Sequence, residues 1–482
     1  MKIRLLYADR EERSMGEGPF GWNEMLEATG TDALVKLMAQ GDVGLTAAAK
    51  QALAHPLATA TEVAYRQDAV RDALEHAQAV KHLFAVCQGE AVHAADAAGT
   101  SDFLALADVA AQHVQALTEL AQVARDMHHD VKSVALRRFA DEMAELVEEG
   151  YLKSADEMLR EICRPSSALM SATLDPETLR PRYELRSYPR RTDWLRWKVT
   201  GAVTADIEDD AAAADRASRL ASARRALASV LWEWTSRMGS FFAALRDELG
   251  FYVAAINLVS AYKDAGCAWC LPQVEDVLPE EKPGYHAHAL SYAEGGSFHL
   301  IADEISAKGI SCWLAGGADE TMRRQFLSAW GQAEILALTG FPVPAEELTL
   351  PVAMQVVWLS SEGKDVEEGL AEAGEKLSKL LPGSIVLWDE PFSWFSQTEA
   401  AELVSGLMGA IAEAGAELVI ATANPHIGAK NLARRGVFHL RLEQTQEGLR
   451  AVPGRPRADT RLQDTFEEVF GERLDVALKA AR

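Results

Sequence analysis

The chain has 482 residues, of which 48% are hydrophobic and 25% are charged. This balance is that of a globular protein and excludes general disorder, and the length predicts about three domains. The net charge of −24 excludes a general attraction to nucleic acid or to anionic membranes, so any contact with DNA requires a local basic patch. Without a long apolar run or an apolar leader, and with five cysteines, we expect a cytoplasmic protein with neither membrane span nor disulfide framework.

Two stretches without proline predict long helices in the first half of the chain. Proline is absent between Pro56 and Pro165 and again between Pro189 and Pro272, and proline is the residue that ends helices most reliably. In the first stretch we expect helices over residues 103–129 and 131–160. In the second we expect one helix, or two nearly collinear ones, over residues 209–263. A helix of that length is expected to act as a strut.

After Pro272, short apolar runs alternate with helical patterns, which predicts a mostly parallel α/β sheet. The predicted fold class is therefore α + α/β, a long helical region followed by an α/β domain. We expect an N-terminal segment at 1–50, a helical domain at 51–275 and the α/β domain at 276–482. The predicted strands are 310–314, 353–359, 384–388, 417–421 and 437–442, and the predicted helices are 323–338, 366–380, 399–414, 428–433 and, in the tail, 463–478.

Two acids directly follow one of these predicted strands. Asp389 and Glu390 come after the apolar run Ser384-Ile385-Val386-Leu387-Trp388, an arrangement that ATPases use to hold the magnesium shell and to polarise the attacking water. By itself this fragment is equally typical of a solvated strand end, and both interpretations stay open.

The segment at the position of a phosphate-binding loop lacks the residues that bind phosphate and magnesium. Such a loop reads G-x-x-x-x-G-K-[ST] between a strand and a helix, and the segment at that place runs from Gly317 through Asp319, Glu320 and Thr321 to Arg324. Met322 stands at the second glycine, Arg323 at the lysine and Arg324 at the magnesium-binding hydroxyl. An arginine cannot bind magnesium, and acids repel phosphate where backbone amides should attract it. We expect a disabled loop in which Arg323 can still contact a phosphate.

Four stretches together resemble one protein family. They are His55-Pro56-Leu57 with Tyr65-Arg66-Gln67-Asp68-Ala69-Val70, the run from Ser240 to Val253, Cys270-Leu271-Pro272, and a last group of Phe326-Leu327, Gly331, Gly340-Phe341 and Val343-Pro344-Ala345-Glu346. Their order and spacing are similar to the MutS-type ATPases of the ABC superclass, and to bacterial MutS-like proteins that lack the mismatch-reading domains. The resemblance implies a helical core or lever domain followed by an ABC-type ATPase domain.

The resemblance also implies a composite site for ATP and magnesium at a dimer interface. Its catalytic acids would be Asp389 and Glu390, and its own nucleotide-binding residues Gly317, Thr321, Arg323 and Arg324. Ser361 and Gly363 would lie in the signature segment that reaches a partner's nucleotide. The family's histidine after the strand 417–421 is replaced by Ala423.

From these departures we predict a degenerate, non-hydrolysing subunit that pairs with an intact MutS-like paralogue, or with itself, and completes the partner's ATP site. One alternative is an active ATP-dependent DNA-binding protein in which Arg323 replaces lysine. The other is a scaffold that binds neither nucleotide nor DNA.

One basic, aromatic-rich patch stands out in this acidic chain. It contains Arg182, Arg186, Arg190, Arg191 and Lys198, with Tyr183, Tyr188, Trp194 and Trp197 between them. Such a patch binds phosphates and stacks on bases in single-strand-binding surfaces, but it is also typical of a hairpin that packs its aromatic rings on a neighbour. Elsewhere, we expect no metal site at Cys267-Ala268-Trp269-Cys270, and His286 and His288 are predicted to lie in a surface loop.

Overall fold

The computed structural model describes residues 5–8, 18–89, 103–148, 150–162, 169–174, 181–187, 210–276, 284–317, 319–361, 363–445 and 448–454. Contacts divide the chain into two compact units. Unit 1 takes its residues from 1–84, 127–140 and 245–482, and unit 2 takes its residues from 85–126 and 141–244. The division into 1–50, 51–275 and 276–482 stays a prediction. No helix within the described ranges is both long enough and apolar enough to span a membrane.

The first half of the chain is helical, as the proline-free stretches predict. The expected long helix is present as one continuous element of 55 residues. The helix expected over 131–160 is wrong in one respect, since it is interrupted at Gly150, whose φ of 68° is left-handed. In chain order the helices are α1 (Trp22–Ala28), α2 (Asp32–Ala39), α3 (Val43–Ala54), α4 (Ala60–Glu75), α5 (Ala77–Gln88), α6 (Phe103–Met127), α7 (Val134–Glu148), α8 (Tyr151–Ile162), α9 (Asp210–Asp264), α10 (Glu320–Thr339), α11 (Val366–Ser378), α12 (Gln397–Glu413) and α13 (Pro425–Lys430).

Unit 2 has a small core between α6 and the first part of α9. Phe103 and Leu106 pack on Ala228, and the buried His113 lies 5.9 Å from Trp234 and 5.4 Å from Phe242 between ring centroids. An apolar face at helical spacing therefore stabilises this part of the long helix. A two-stranded antiparallel hairpin, formed by β1 (Leu169–Leu174) and β2 (Pro181–Ser187), also belongs to unit 2.

Unit 1 contains a six-stranded sheet with the order β12-β11-β6-β10-β9-β8. Neighbouring strands are parallel except for β12, which pairs antiparallel with β11. Helices separate the parallel strands along the chain, as crossover connections require, and the predicted α + α/β fold class is confirmed. The strands are β6 (Cys312–Gly316), β8 (Val356–Ser360), β9 (Ile385–Asp389), β10 (Glu417–Thr422), β11 (Val437–Thr445) and β12 (Gly448–Pro453).

A second sheet in unit 1 was not predicted. It has the order β3-β7-β4-β5, with β3 (Gln273–Glu275), β4 (Gly284–Glu294), β5 (Ser297–Lys308) and β7 (Glu347–Pro351). The expectation of a loop at His286 and His288 is wrong, because both residues lie on β4. Each meets an acid from the chain just before or within β7: His286 Nε2 is 3.4 Å from Glu347 Oε2, and His288 Nδ1 is 3.0 Å from Glu346 Oε2.

Helix α10 places the loop residues against the six-stranded sheet. It begins at the cap Asp319 and ends at Gly340, whose φ of 79° suits a glycine at a helix end. From Ala329 to Thr339 every residue is buried. Gln332 donates hydrogen bonds of 2.9 Å to the carbonyls of Thr29 and Ala293, so the helix is fixed to both α1's end and β4.

Candidate functional site

The two acids lie where the sequence predicts, at the carboxyl end of a central parallel strand. Asp389 ends β9, is paired in register with Ser360 and Ala421, and is only 2% exposed. Glu390 follows with a φ of 46° and donates its N–H to the Ala421 carbonyl at 2.9 Å. Positive φ is strained for a non-glycine residue. After this strained turn the Glu390 carboxylate lies at the end of β10.

An acid occupies the N-terminus of α10, where a phosphate would bind. Asp319 caps the helix, and its Oδ1 accepts the N–H of Met322 at 3.0 Å. A phosphate bound at a helix N-terminus uses such amide hydrogens, and here one of them already has a carboxylate. Gly317 donates its N–H to the Thr422 carbonyl at 3.0 Å, and a Cβ at this position would lie 2.9 Å from Leu442.

Arg323 crosses from the loop side to the two acids. Its Nε lies 3.3 Å from Asp389 Oδ1 and 3.1 Å from Glu390 Oε1, and its side chain is only 8% exposed. Its Nη1 donates to the Gly317 carbonyl at 3.3 Å. A guanidinium so placed neutralises carboxylates strongly, because few water molecules compete with it. The cation at the lysine position therefore pairs with the acids of its own chain.

Arg324 and Thr321 lie at the edge of the same site. Arg324 is 53% exposed, with Nη1 3.5 Å from Glu320 Oε1 and Nε 4.0 Å from Asp389 Oδ2. Both residues line an open cleft of about 590 Å³, together with Glu27, Glu294, Trp358 and Ser360. An arginine donates hydrogen bonds only and is not a ligand for magnesium.

The Glu390 carboxylate is held on the strand side as well. The Thr422 hydroxyl donates to Oε2 at 2.9 Å, and the Ala423 N–H donates to Oε1 at 2.6 Å. Thr422 is buried, and its hydroxyl oxygen accepts the Asn424 N–H at 3.0 Å. Ala423, which stands where the family has its histidine, thus contributes a backbone donor. Both Glu390 oxygens therefore accept hydrogen bonds from the protein, which fixes the orientation of the carboxylate.

Burial raises the pKa of Asp389 to about 6, and the nearby charge of Glu390 raises it as well, while the Arg323 and Arg324 guanidiniums offset this in part. The carboxyl pair, the internal arginine and the acid-capped helix together do not fit a magnesium–triphosphate group. Within the described residues, no cluster of three or more histidine, cysteine or acidic side chains is suited to a metal ion.

The structure brings Ser361 to the same strand ends and leaves Gly363 on the surface. The Ser361 N–H donates to the Asp389 carbonyl at 3.3 Å, and Ser361 is only 2% exposed, with its hydroxyl oxygen buried and without a hydrogen bond. Gly363 is exposed, with a φ of 72°. A contact from Ser361 to another subunit would therefore require this turn to open. The signature role of the two residues stays a prediction.

The basic patch is described only in part. Arg182 and Arg186 lie on the hairpin strand β2. Arg190, Arg191 and Lys198 lie outside the described residues, so their role in binding DNA stays a prediction.

Two functional features were missed from the sequence. Thr422, which holds Glu390, lies one residue beyond the predicted strand 417–421. Trp394 follows the acids and packs into a notch at Gly369, where a Cβ would lie 1.9 Å from its ring; its Nε1 donates to the Lys364 carbonyl at 2.9 Å. Gly369 has no side chain and lies inside α11, and such a glycine is the sequence signal that another group packs closely against the helix.

Comparison with known proteins supports the resemblance for the helical part of the chain. Residues 58–264 match the model of the MutS2 N-terminal domain, and this match supports a relation to the MutS family. No curated protein matches the chain.

Proposed function

We propose that this chain is a MutS-family protein whose own ATP site is closed by an internal arginine, and that it acts as the non-hydrolysing subunit beside an intact MutS-like ATPase. The observation that carries the proposal is Arg323 between Asp389 and Glu390, at 3.3 Å and 3.1 Å and almost fully buried. An incoming nucleotide would have to break these ion pairs before magnesium and phosphate could reach the acids. Breaking a buried pair is strongly unfavourable.

Three further features support the loss of hydrolysis. The helix cap Asp319 supplies a negative charge where the phosphates would bind. Arg324 replaces the hydroxyl that would hold magnesium. Both oxygens of Glu390 accept hydrogen bonds from Thr422 and Ala423, so the group that would polarise water is already engaged.

The test is equilibrium binding of Mg·ATP to the purified full chain, with a loop-restored variant as the matched comparison. That variant carries Met322→Gly, Arg323→Lys and Arg324→Thr, which rebuild the G-K-T order. We expect no binding to the natural chain at millimolar ATP and measurable binding to the variant. Micromolar binding to the natural chain would overturn the closed site. Circular dichroism of both proteins controls for folding of the variant.

Pairing is tested by adding the chain to a MutS-like ATPase from the same source. An ABC-type site uses the phosphate loop of one subunit and the signature of the other, so a chain with a closed loop can still complete its partner's site. We expect the partner's ATP hydrolysis to rise with added chain, and to rise less with Gly363→Trp, which places a bulky ring on the exposed turn. No rise at saturating chain contradicts the pairing.

DNA association is a separate part of the proposal and rests on the basic patch. Each phosphate contact through arginine or lysine makes affinity fall as salt rises. We expect Arg190→Glu with Arg191→Glu to lower the affinity for single-stranded DNA and to flatten its salt dependence. A scaffold without DNA binding would show no affinity to lose.

A further inference from the structure

A carboxylic acid lies in the core of unit 1, and no described cation acts on its pKa. Glu334 is on α10, eleven residues after Arg323, and is 0% exposed. Neither of its carboxylate oxygens has a hydrogen bond. An ionised carboxylate without a partner is so unfavourable in an apolar interior that such a group keeps its proton instead.

Two aromatic residues lie near Glu334: Trp330, one turn earlier on α10, and Tyr285 on β4. The ring of Tyr285 on β4 stacks on Trp330 at 4.1 Å and 16°. Trp313 on β6 lies 5.2 Å from Trp330 and 5.6 Å from Tyr285. The Tyr285 hydroxyl is buried without a hydrogen bond. The Trp330 indole lies close enough to Glu334, and the Trp313 indole to Glu417, to lower the pKa of each carboxyl in part. An uncharged acid is compatible with these aromatic neighbours, and a charged one would disturb them.

The charges that act on this carboxyl make its ionisation harder. Burial raises the pKa of Glu334 to about 8, the negative charge of Glu417 at the start of β10 raises it as well, and the Trp330 indole offsets this only in part. Burial also raises the pKa of Glu417 to about 7. Tyr285 on β4 is the other titratable group that faces the pair. Strands β9 and β11 contribute apolar groups to this side of α10 and its aromatic neighbours, Leu387 near Gly331 and Phe438 on Trp313.

We propose that Glu334 is a proton-controlled switch: the protonated carboxyl packs in the core beside Trp330 and Tyr285, and its ionisation loosens α10 from the sheet. Because α10 also carries Arg323, loosening this helix weakens the ion pairs with Asp389 and Glu390. That consequence rests on the proposed function, whereas the proton switch itself does not. Its signature is measurable without nucleotide or partner.

The sign of the pH dependence follows from linkage. In the unfolded chain Glu334 has its ordinary pKa of 4.5, and in the folded chain the value is about 8. The folded state therefore holds a proton that the unfolded state has released between these values, and stability falls as pH rises through this window. Between about pH 6.5 and 9, the equilibrium constant of unfolding should rise roughly 30-fold through this group alone.

The experiment compares urea unfolding of the full chain with that of Glu334→Gln across this pH range. Glutamine has nearly the same shape and cannot ionise, so the variant should lose the roughly 30-fold rise and become the more stable protein at pH 9. Glu417→Gln is the matched control, because it removes the neighbouring charge and should move the rise to lower pH. Equal pH dependence in the natural chain and Glu334→Gln would overturn the proposal.

A second measurement does not depend on any variant's stability. Infrared difference spectra between about pH 6.5 and 9 should show the loss of a carboxylic-acid carbonyl band and the gain of a carboxylate band. Because Glu417 also titrates in this range, with a pKa of about 7, the band change that reports on Glu334 is the one that persists in Glu417→Gln. If Glu334→Gln does not fold, Glu417→Gln should still shift the midpoint of this band change downwards. The absence of any carboxylic-acid band at pH 6.5 would contradict the proposal, whatever the ATP-binding experiment shows.

Discussion

The two sides of the candidate ATP site differ in how well their residues match those of an ATPase. On the strand side, Asp389 and Glu390 stand at the end of β9 as an ATPase requires. On the loop side, Gly317 is followed by an acid cap, a methionine and two arginines, and the first arginine ends between the two acids. The comparison teaches that two acids placed after a strand can be paired by a cation from another segment of the same chain. Three substitutions test the ion pairs between the two sides and the packing and hydrogen bonding of the strand side.

The largest effect is expected for Arg323→Ala. It leaves the buried Asp389 beside the partly buried Glu390 without their cation, and removing one partner of a buried pair costs about 3–5 kcal/mol. Chemical unfolding of the full chain measures this free energy. The matched control is Arg324→Ala, whose side chain is 53% exposed and which should cost about 1 kcal/mol or less.

The cost of Arg323→Ala should also depend on pH. Burial already raises the pKa of Asp389 to about 6, and removing the arginine raises it further. The variant can therefore neutralise Asp389 by binding a proton in mild acid, so its destabilisation should be smaller at about pH 5 than at about pH 8. A cost that is equal at both values would show that the ion pair does not carry the effect.

A smaller loss of stability is expected at α11, on which Trp394 packs. Gly369→Ala places a Cβ against the Trp394 ring, which the Lys364 carbonyl holds in place, and should cost about 1–3 kcal/mol. Gly374→Ala on the same helix has open space at its Cβ and should instead stabilise by about 0.5–1 kcal/mol. A lower midpoint of thermal unfolding for Gly369→Ala and a higher one for Gly374→Ala would support the interpretation of the strand side as a tightly packed structure.

Of the three test substitutions, Thr422→Val is expected to cause the smallest loss of stability. It removes the hydroxyl that donates to Glu390 and accepts from Asn424, and should cost about 1–2 kcal/mol. Thr422→Ser keeps the hydroxyl and should cost less. If both variants are equally stable in urea, Thr422 does not hold the acid.

Periodicity predicted the first sheet but not the second. The strands at β6, β9 and β10 are buried along their length and therefore read as continuous apolar runs between helices. Strands β4 and β5 mix exposed and buried residues irregularly, and their stability comes from pairing with each other and with β7, more than fifty residues away from β4. The Gly295-Gly296 pair between them was a readable hairpin signal.

The sequence by itself determined the long helices, the α/β alternation, the acid pair after β9 and the altered loop, because these depend on local propensity and on spacing within one segment. Only the tertiary structure decided that Arg323 reaches Asp389 and Glu390, that Thr422 holds Glu390 and that Glu334 is buried near Tyr285. Each of these contacts joins residues that are far apart in the sequence. Their energies depend on distance and on exclusion of water, which exist only once the sheet has formed.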